Sequence, residues 1–268
     1  MRQRPFLKWA GNKYRIIHRI QAVLPAGNRL IEPFAGSAAV FLNTGFKENL
    51  LADSNDDLIR LYQTVKTGGE DFIEYCRSFF TEENNQPERY YEFRERFNTT
   101  DDGVLKSALF IYLNRHGYNG LCRYNASGKF NAPVGRYKKP YFPERELRFF
   151  TEKARDAEFL CQDFTQTMAT ARPGDVVYCD PPYVPLSQTS NFTSYSAGGF
   201  GESEQWILAE LARRLAEQGV SVLISNHDTD FTQKAYDAAR IERFHVQRFV
   251  SCDGANRGKA GELLALFG

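Results

Sequence analysis

Two consecutive stretches of this chain place a short apolar strand before a turn and a helix, and that repetition narrows the fold more than any other feature. "NRLIEPFAGSAAVFLN" (28–43) reads as a strand through Leu30 and Ile31, a tight turn of small residues, then a helix. "ENLLADSNDDLIRLYQTV" (48–65) reads as a strand through Leu50, Leu51 and Ala52 that meets Asp53. Ser54 or Asn55 can then cap a helix with apolar positions Leu58, Ile59, Leu61, Tyr62 and Val65. Two strand–turn–helix units in a row predict an α/β fold with a parallel sheet. Strand signals return at "AEFLCQDF" (157–164), "DVVYCD" (175–180) and "VSVLISN" (220–226), the last preceded by the helical run "ESEQWILAELARRLAEQ". "FHVQRFVSCDGANRGKAGELLALF" at the C-terminus predicts a β-hairpin around a Gly/Asn loop.

The middle of the chain breaks this rhythm. Residues of about 66–115 have helical spacing and many aromatics, and residues 116–145 are rich in Gly, Asn, Pro and Tyr and read mostly as loop. The expected organisation is an α/β domain, 1–55 and 146–268, interrupted by a mainly helical insert, 56–145.

Bulk properties exclude several classes. Hydrophobic content is 42% and charged content 25% over 268 residues, ordinary for a globular protein. Five cysteines, an odd number with no C-x-x-C pair, argue against a disulfide framework and a zinc site and suggest a reducing compartment. No metal is expected. The N-terminus lacks an apolar signal-peptide core and no stretch is long enough to span a bilayer, so a cytoplasmic location and no membrane partner are expected.

Chemistry is concentrated in three places. "EPFAGSA" contributes Phe34, Ala35, Gly36 and Ser37 as a small-residue turn after the first strand, and Asp53 ends the next strand about twenty residues on, where an acid holds ribose hydroxyls in doubly wound folds. The turn is not G-x-G-x-x-G and lacks a P-loop lysine, so the ligand expected is a nucleoside without a pyrophosphate, as in S-adenosylmethionine. An ordinary strand–helix turn is the competing reading.

The second place is Asp180-Pro181-Pro182-Tyr183, which ends the apolar run "DVVYC". Prolines have a locked φ and no N–H, but keep their carbonyls. A carboxylate and a proline carbonyl can grip the two N–H groups of a planar exocyclic amine and favour a more tetrahedral nitrogen, while Tyr183 stacks on the ring. Most of the rate gain would be positioning, with electrostatic help as the nitrogen becomes positive. A Pro-rich loop with a packing tyrosine is the plainer alternative.

The third is an acid-free stretch, Gly103 to Pro140, which holds Lys106, Arg115, Arg123, Lys129, Arg136, Lys138 and Lys139 among tyrosines such as Tyr112, Tyr118 and Tyr137 and amides such as Asn114, Asn119, Asn125 and Asn131. Basic side chains contact phosphates, and Arg and Asn can read base edges. A generic cationic loop is the alternative. An enzyme acting on a base amine extrudes that base from the stack. Tyr118, Asn119 and Leu121 in "GYNGL" are candidates to fill the gap, against a role for Tyr118 and Leu121 in plain packing. "SQTSNFTSYSAGGFG" (187–201), with Phe192 and Tyr195, could close as a lid or serve as a connector.

The blocks "FLKWAGNK", "EPFAGS", "LADSN", "LNRHGYNGLCRYN", "GKFN", "GRYKKPYFP", "VVYCDPPY", "NFTSY" and "LISNHDT" run in the order found in Dam-type DNA adenine N6-methyltransferases, and the chain resembles that family over essentially its whole length. The resemblance implies a Rossmann-like S-adenosylmethionine-dependent methyltransferase sheet with a target-recognition insert. The implied reaction is methylation of adenine N6 in GATC of double-stranded DNA. It implies cofactor contacts at Trp9, Lys13, Asp53 and Asp180, with Asp163 counted beside them. It suggests Lys8 and Arg123 as guanine readers. Tyr118, Asn119 and Leu121 would lie near the intercalation site, Arg94, Asn125, Asn131 and Arg136 on phosphates, with Tyr137 also on DNA. Two positions depart from the family pattern: Asn12 where "KWAGGK" often has a second glycine, and Ala38 where the small-residue turn often has one. The D-P-P-Y turn also serves methylation of cytosine N4, RNA bases and glutamine amides. A DNA binder that has lost activity is a further reading.

Overall fold

The computed structural model describes residues 2–184, 200–247 and 259–268. Residues 185–199, with Phe192 and Tyr195, for which a lid or a connector is expected, and residues 248–258 lie outside them. In chain order the elements begin with α1 (Ile17–Val23), β1 (Arg29–Glu32), β2 (Glu48–Asp53), α2 (Asp56–Arg77) and α3 (Pro87–Thr99). Then come α4 (Gly103–His116), α5 (Glu144–Lys153), β3 (Ala157–Cys161), α6 (Phe164–Met168) and β4 (Val176–Cys179). The chain ends with α7 (Glu202–Glu217), β5 (Ser221–His227), α8 (Asp230–Ala235), β6 (Arg240–Gln247) and β7 (Lys259–Phe267). The mixed α/β class expected from the sequence is observed. Among the described residues no helix is long and apolar enough to cross a membrane.

Contacts divide the chain into two compact units, residues 1–18 with 35–162, and residues 19–34 with 163–268. In the first unit β2 and β3 pair in parallel from Asn49–Ala157 to Asp53–Cys161, so Asp53 stands at the carboxyl end of both strands. α2 begins where the sequence places it: the Asn55 side chain accepts the Leu58 N–H at 3.1 Å, with Asp56 and Asp57 in the first turn. Its apolar positions, Leu58 through Cys76, are buried, and the run kinks at Gly69, where φ is 52°. α4 is capped by Asp102 and is buried almost throughout from Leu105 to His116, so it is the central helix of this unit. The core is strongly aromatic, with Phe6 edge-on to Phe150 at 5.0 Å and Tyr62 stacked on Phe150 at 4.9 Å.

One expected element does not form. The segment after "EPFAGS" is a single 3-10 turn, Phe41–Asn43, rather than an α-helix. Gly36 (φ 45°) and Ala38 (φ 58°) are both left-handed, which breaks a right-handed helix before it can nucleate.

The second unit carries strands in the order β1-β4-β5-β7-β6. β1, β4 and β5 are parallel. β4, "VVYC", lies between two neighbours and is buried at every position, which accounts for its unbroken apolar sequence. β7 pairs antiparallel with both β5 and β6, so the two C-terminal strand runs do form a hairpin ladder, from Arg240–Leu266 to Gln247–Lys259. The parallel strands bring residues following Glu32, Cys179 and His227 to one edge of the sheet, where ligands bind in open α/β folds.

Candidate active-site elements of the two units

In the first unit the small-residue turn closes on Asp53. The Gly36 N–H donates to Asp53 Oδ2 at 3.1 Å, the Asn55 N–H to Oδ1 at 3.0 Å, and the Ala35 N–H to the Ala52 carbonyl at 2.8 Å. Burial raises the Asp53 carboxyl above its ordinary range, and the backbone N–H groups of Gly36, Asn55 and Ser54 oppose that rise. The Tyr62 hydroxyl donates to the Gly36 carbonyl, so the turn is fixed from both sides. Trp9 packs on Gly36, where a β-carbon would come 3.0 Å from its Nε1. Ser37 and Lys13 are buried. The Lys13 Nζ donates to the Gly11 carbonyl at 2.6 Å. Asn12 has φ −48°, and its side chain accepts the Tyr14 N–H, so no left-handed glycine is needed there; Gly11, at φ 73°, takes that conformation instead.

The same unit carries the acid-free stretch, and its side chains divide into two groups. Tyr112, Asn114, Arg115 and Phe130 are buried and do structural work. Arg115 donates to the Phe6 carbonyl, and burial lowers its guanidinium to about 10. Lys106 pairs with Asp57 at 2.8 Å. Charge and aromatic count do not reveal which faces of α4 are covered, and from Ser107 to His116 this helix is covered on all of them.

The remaining group is exposed or half-exposed. Tyr118 is 52% exposed, Asn119 is exposed at φ 51°, and Leu121 packs against the core. Arg123 donates to Asn131 twice, from Nε to Oδ1 at 2.7 Å and from Nη2 to the carbonyl at 3.0 Å. Asn125 folds the tip between them, its Oδ1 accepting the Ser127 and Lys129 N–H groups. Arg94 donates to the Ala132 carbonyl and lies 4.7 Å from the Tyr91 ring centroid. Arg136 is exposed. Lys8 places its ammonium 3.9 Å from the Tyr137 ring centroid and donates to the Arg115 carbonyl at 3.3 Å. The Asn114 side chain holds Lys8 by both its backbone N–H (2.9 Å) and carbonyl (2.8 Å), and reaches the Gly120 carbonyl as well. Gly120 is required there, because a β-carbon would meet Lys8 Cβ at 2.2 Å. Burial, then the Arg115 charge, lower the Lys8 ammonium to about 8.

In the second unit Asp180 follows β4 directly. Ser225 Oγ, on β5, donates to Asp180 Oδ1 at 3.0 Å, and Tyr178 O–H, 3.1 Å from Ser225 Oγ, supplies the next proton in the chain. Tyr183 meets His227 edge-on at 4.7 Å. Burial and the neighbouring Asp180 charge push its phenol well up, so it stays neutral. Phe34 stacks on Phe164 at 5.4 Å, and Asp163 Oδ1 accepts from the Thr165 N–H (2.8 Å) and hydroxyl (2.6 Å) as the cap of α6. The residues expected at the cofactor thus fall in both units: Trp9, Lys13, Ala35, Gly36, Ser37 and Asp53 in the first, Phe34, Asp163 and Asp180 in the second. Sequence reasoning did not single out Ser225, although the end of an apolar strand turning polar in "LISN" signals it.

The sequence matches the D12 class N6 adenine-specific DNA methyltransferase family over residues 9–250. A DNA adenine methylase of Vibrio cholerae serotype O1 is 51% identical over 267 residues, covering 99% of this chain and 96% of that protein. The DNA adenine methylase of Escherichia coli K12 is 51% identical over 266 residues, with coverage of 99% and 96%. That of Serratia marcescens is 51% identical over 267 residues, covering 99% of each chain.

Proposed function

The chain belongs to the D12 class of N6 adenine-specific DNA methyltransferases, and on that premise we propose that it methylates adenine N6 within double-stranded GATC after the target base is flipped out of the duplex, with S-adenosylmethionine as donor. The observation that carries this reading is the anchored acid at the end of β4: Asp180, oriented through Ser225, followed by two prolines and a half-buried, neutral Tyr183. Asp180 and a proline carbonyl grip the two N–H groups of the amine. The Pro182 carbonyl already accepts from Gln205 at 2.8 Å, which leaves the Pro181 carbonyl as the less committed second acceptor. Tyr183 stacks on the base. These groups orient the nitrogen lone pair and stabilise the positive charge that grows on it.

The turn of the first unit fits a nucleoside. Gly36 lets the Trp9 indole close on the turn, and the Asp53 carboxylate suits a ribose diol. Trp9, Lys13, Phe34, Ala35, Ser37, Asp163 and Asp180 complete the proposed donor set. S-adenosylmethionine supplies a methyl group on a sulfonium, a strong electrophile at neutral pH, and leaves as S-adenosylhomocysteine.

The proposed recognition region is 56–145, joined by Lys8. Lys8 and Arg123 read guanines, Tyr118, Asn119 and Leu121 occupy the space beside the flipped base, and Arg94, Asn125, Asn131, Arg136 and Tyr137 hold the duplex. Residues 1–55 and 146–268 form the proposed catalytic domain. Family membership favours DNA over RNA or protein amides and an active enzyme over an inactive binder.

The test is single-turnover transfer from labelled S-adenosylmethionine to duplexes with GATC or one altered base pair. Labelled N6-methyladenine in the GATC duplex alone is expected, with Asp180→Ala abolishing transfer and leaving DNA binding intact. Equal transfer to every duplex would overturn the site assignment, and near-normal turnover by Asp180→Ala would overturn the catalytic one.

A further inference from the structure

The peptides on both sides of Tyr183 are pinned by side chains from two elements, α7 and β5. Gln205, in the first turn of α7, donates from Nε2 to the Pro182 carbonyl at 2.8 Å. Asn226, near the end of β5, accepts the Val184 N–H at 3.2 Å and the His227 N–H at 2.9 Å through Oδ1. Asn226 Nδ2 donates to Gln205 Oε1 and to the Tyr236 hydroxyl, both at 3.0 Å, and Tyr236 donates in turn to Gln205 Oε1 at 3.1 Å. The three form a closed ring of hydrogen bonds. Gln205 is 2% exposed, and Asn226 and Tyr236 are fully buried. Burial raises the Tyr236 phenol, so it remains a donor at any working pH. His227 holds the next peptide: its Nδ1 lies 2.7 Å from the Val184 carbonyl, which can only accept, so that nitrogen carries the proton.

The hydrogen bonds within the cluster gain little net free energy, because folding only exchanges them for bonds to water. What a polar cluster adds is direction. The bond to Pro182 fixes the carbonyl plane before Tyr183, and the bond to Val184 fixes the amide after it. With both flanking peptides set, the Tyr183 ring and the acceptors preceding it have one orientation. Reacting groups displaced by about 1 Å lose on the order of a hundredfold in rate.

We propose that Gln205, Asn226 and Tyr236 are positioning residues for methyl transfer, acting through the Pro182 and Val184 peptides to hold the Asp180–Tyr183 turn in its productive geometry. The proposal rests on the reading of that turn as catalytic. The role assigned to all three is exerted through these backbone groups.

Gln205→Glu keeps the size and the acceptor of the ring but loses the donor to Pro182. At pH 8 its single-turnover rate on the GATC duplex is expected to fall at least tenfold. As pH falls toward 6 its rate relative to wild type should recover, because a protonated carboxyl can donate to the carbonyl again. Tyr236→Phe is expected to fall three- to tenfold. In both, affinities for S-adenosylmethionine and duplex stay within twofold of wild type, and exchange of the Val184 amide hydrogen becomes at least tenfold faster. If Gln205→Glu does not fold, Tyr236→Phe carries the same test. Rates within twofold of wild type, or rate and binding lost together, would overturn the proposal. Wild-type protein that transfers no methyl group would overturn the catalytic reading instead, and Val184 exchange alone would then decide whether the ring positions the turn.

Discussion

The Trp9 indole lies so close over Gly36 that a β-carbon on residue 36 would come within 3.0 Å of Nε1, and Gly36 itself has φ 45°. Two separate penalties therefore guard this position. Gly36→Ala is expected to lose about 1–2 kcal/mol from the left-handed backbone alone, plus the displacement of Trp9. Urea unfolding of Gly36→Ala, made both in wild type and in Trp9→Ala, separates the two. The loss should shrink toward the backbone value once the indole is gone. Equal losses in the two backgrounds would mean that the indole yields freely.

Ala38 shows the opposite situation: a side chain sits where glycine is favoured. Its φ is 58° and it is fully buried, so the strain is real and water does not relieve it. Ala38→Gly relieves about 1–2 kcal/mol of left-handed strain but adds chain entropy and loses a buried methyl, each about 0.5–1 kcal/mol, so it should change stability by less than about 1 kcal/mol although it empties a fully buried position. The shift in urea midpoint measures this, and a loss of more than about 1 kcal/mol would refute the strain.

Parts of this arrangement are legible in the sequence because a single local segment encodes them. Asn55 caps α2 three residues before Leu58, Asp53 ends β2, and the apolar "VVYC" is the fully buried β4. Those signals need no distant partner. The ring of Gln205, Asn226 and Tyr236 was not legible, since each residue reads locally as an ordinary polar position and their meeting depends on how α7, β5 and the chain after α8 pack. The acid-free stretch was legible only in part. Asn114 and Arg115 look like nucleic-acid contacts by type, yet one clamps the Lys8 backbone and the other donates to Phe6. The missing helix after "EPFAGS" follows from backbone conformation at Gly36 and Ala38, which apolar periodicity does not report.

His116 links acid stability to the aromatic core of the first unit. It stacks on Tyr112 at 3.8 Å, and burial lowers its imidazole to about 4 while the Tyr112 carbonyl, 2.9 Å from Nδ1, opposes that shift. The unfolded chain takes up this proton below about pH 6.5 and the folded chain only near 4. Stability is thus unaffected above 6.5, falls as pH drops between the two values, and levels off below, for a total of about 3 kcal/mol. His116→Asn keeps a donor in the place of Nδ1 and does not titrate. Urea midpoints between pH 7 and 4 should fall less steeply in this variant, and an unchanged slope would assign the acid sensitivity to other groups.

Lys8 gives the proposed duplex recognition a pH dependence on the alkaline side. Its ammonium is held between the Tyr137 ring and the Arg115 carbonyl, and burial with the Arg115 charge brings it to about 8. Below that pH the protein meets DNA already charged; above it, binding through an ammonium must first take up a proton. Affinity for the GATC duplex should therefore fall as pH rises from 7 to 9, by up to about tenfold per pH unit beyond 8, at constant salt because phosphate contacts are themselves salt-dependent. Lys8→Arg keeps its charge throughout and should bind with little slope, although its fork cannot reproduce the lysine contact. Lys8→Met should bind more weakly and with little slope. Fluorescence anisotropy across this range reads all three proteins. The same alkaline decline in Lys8→Met would move the titrating group elsewhere and remove Lys8 from the contact.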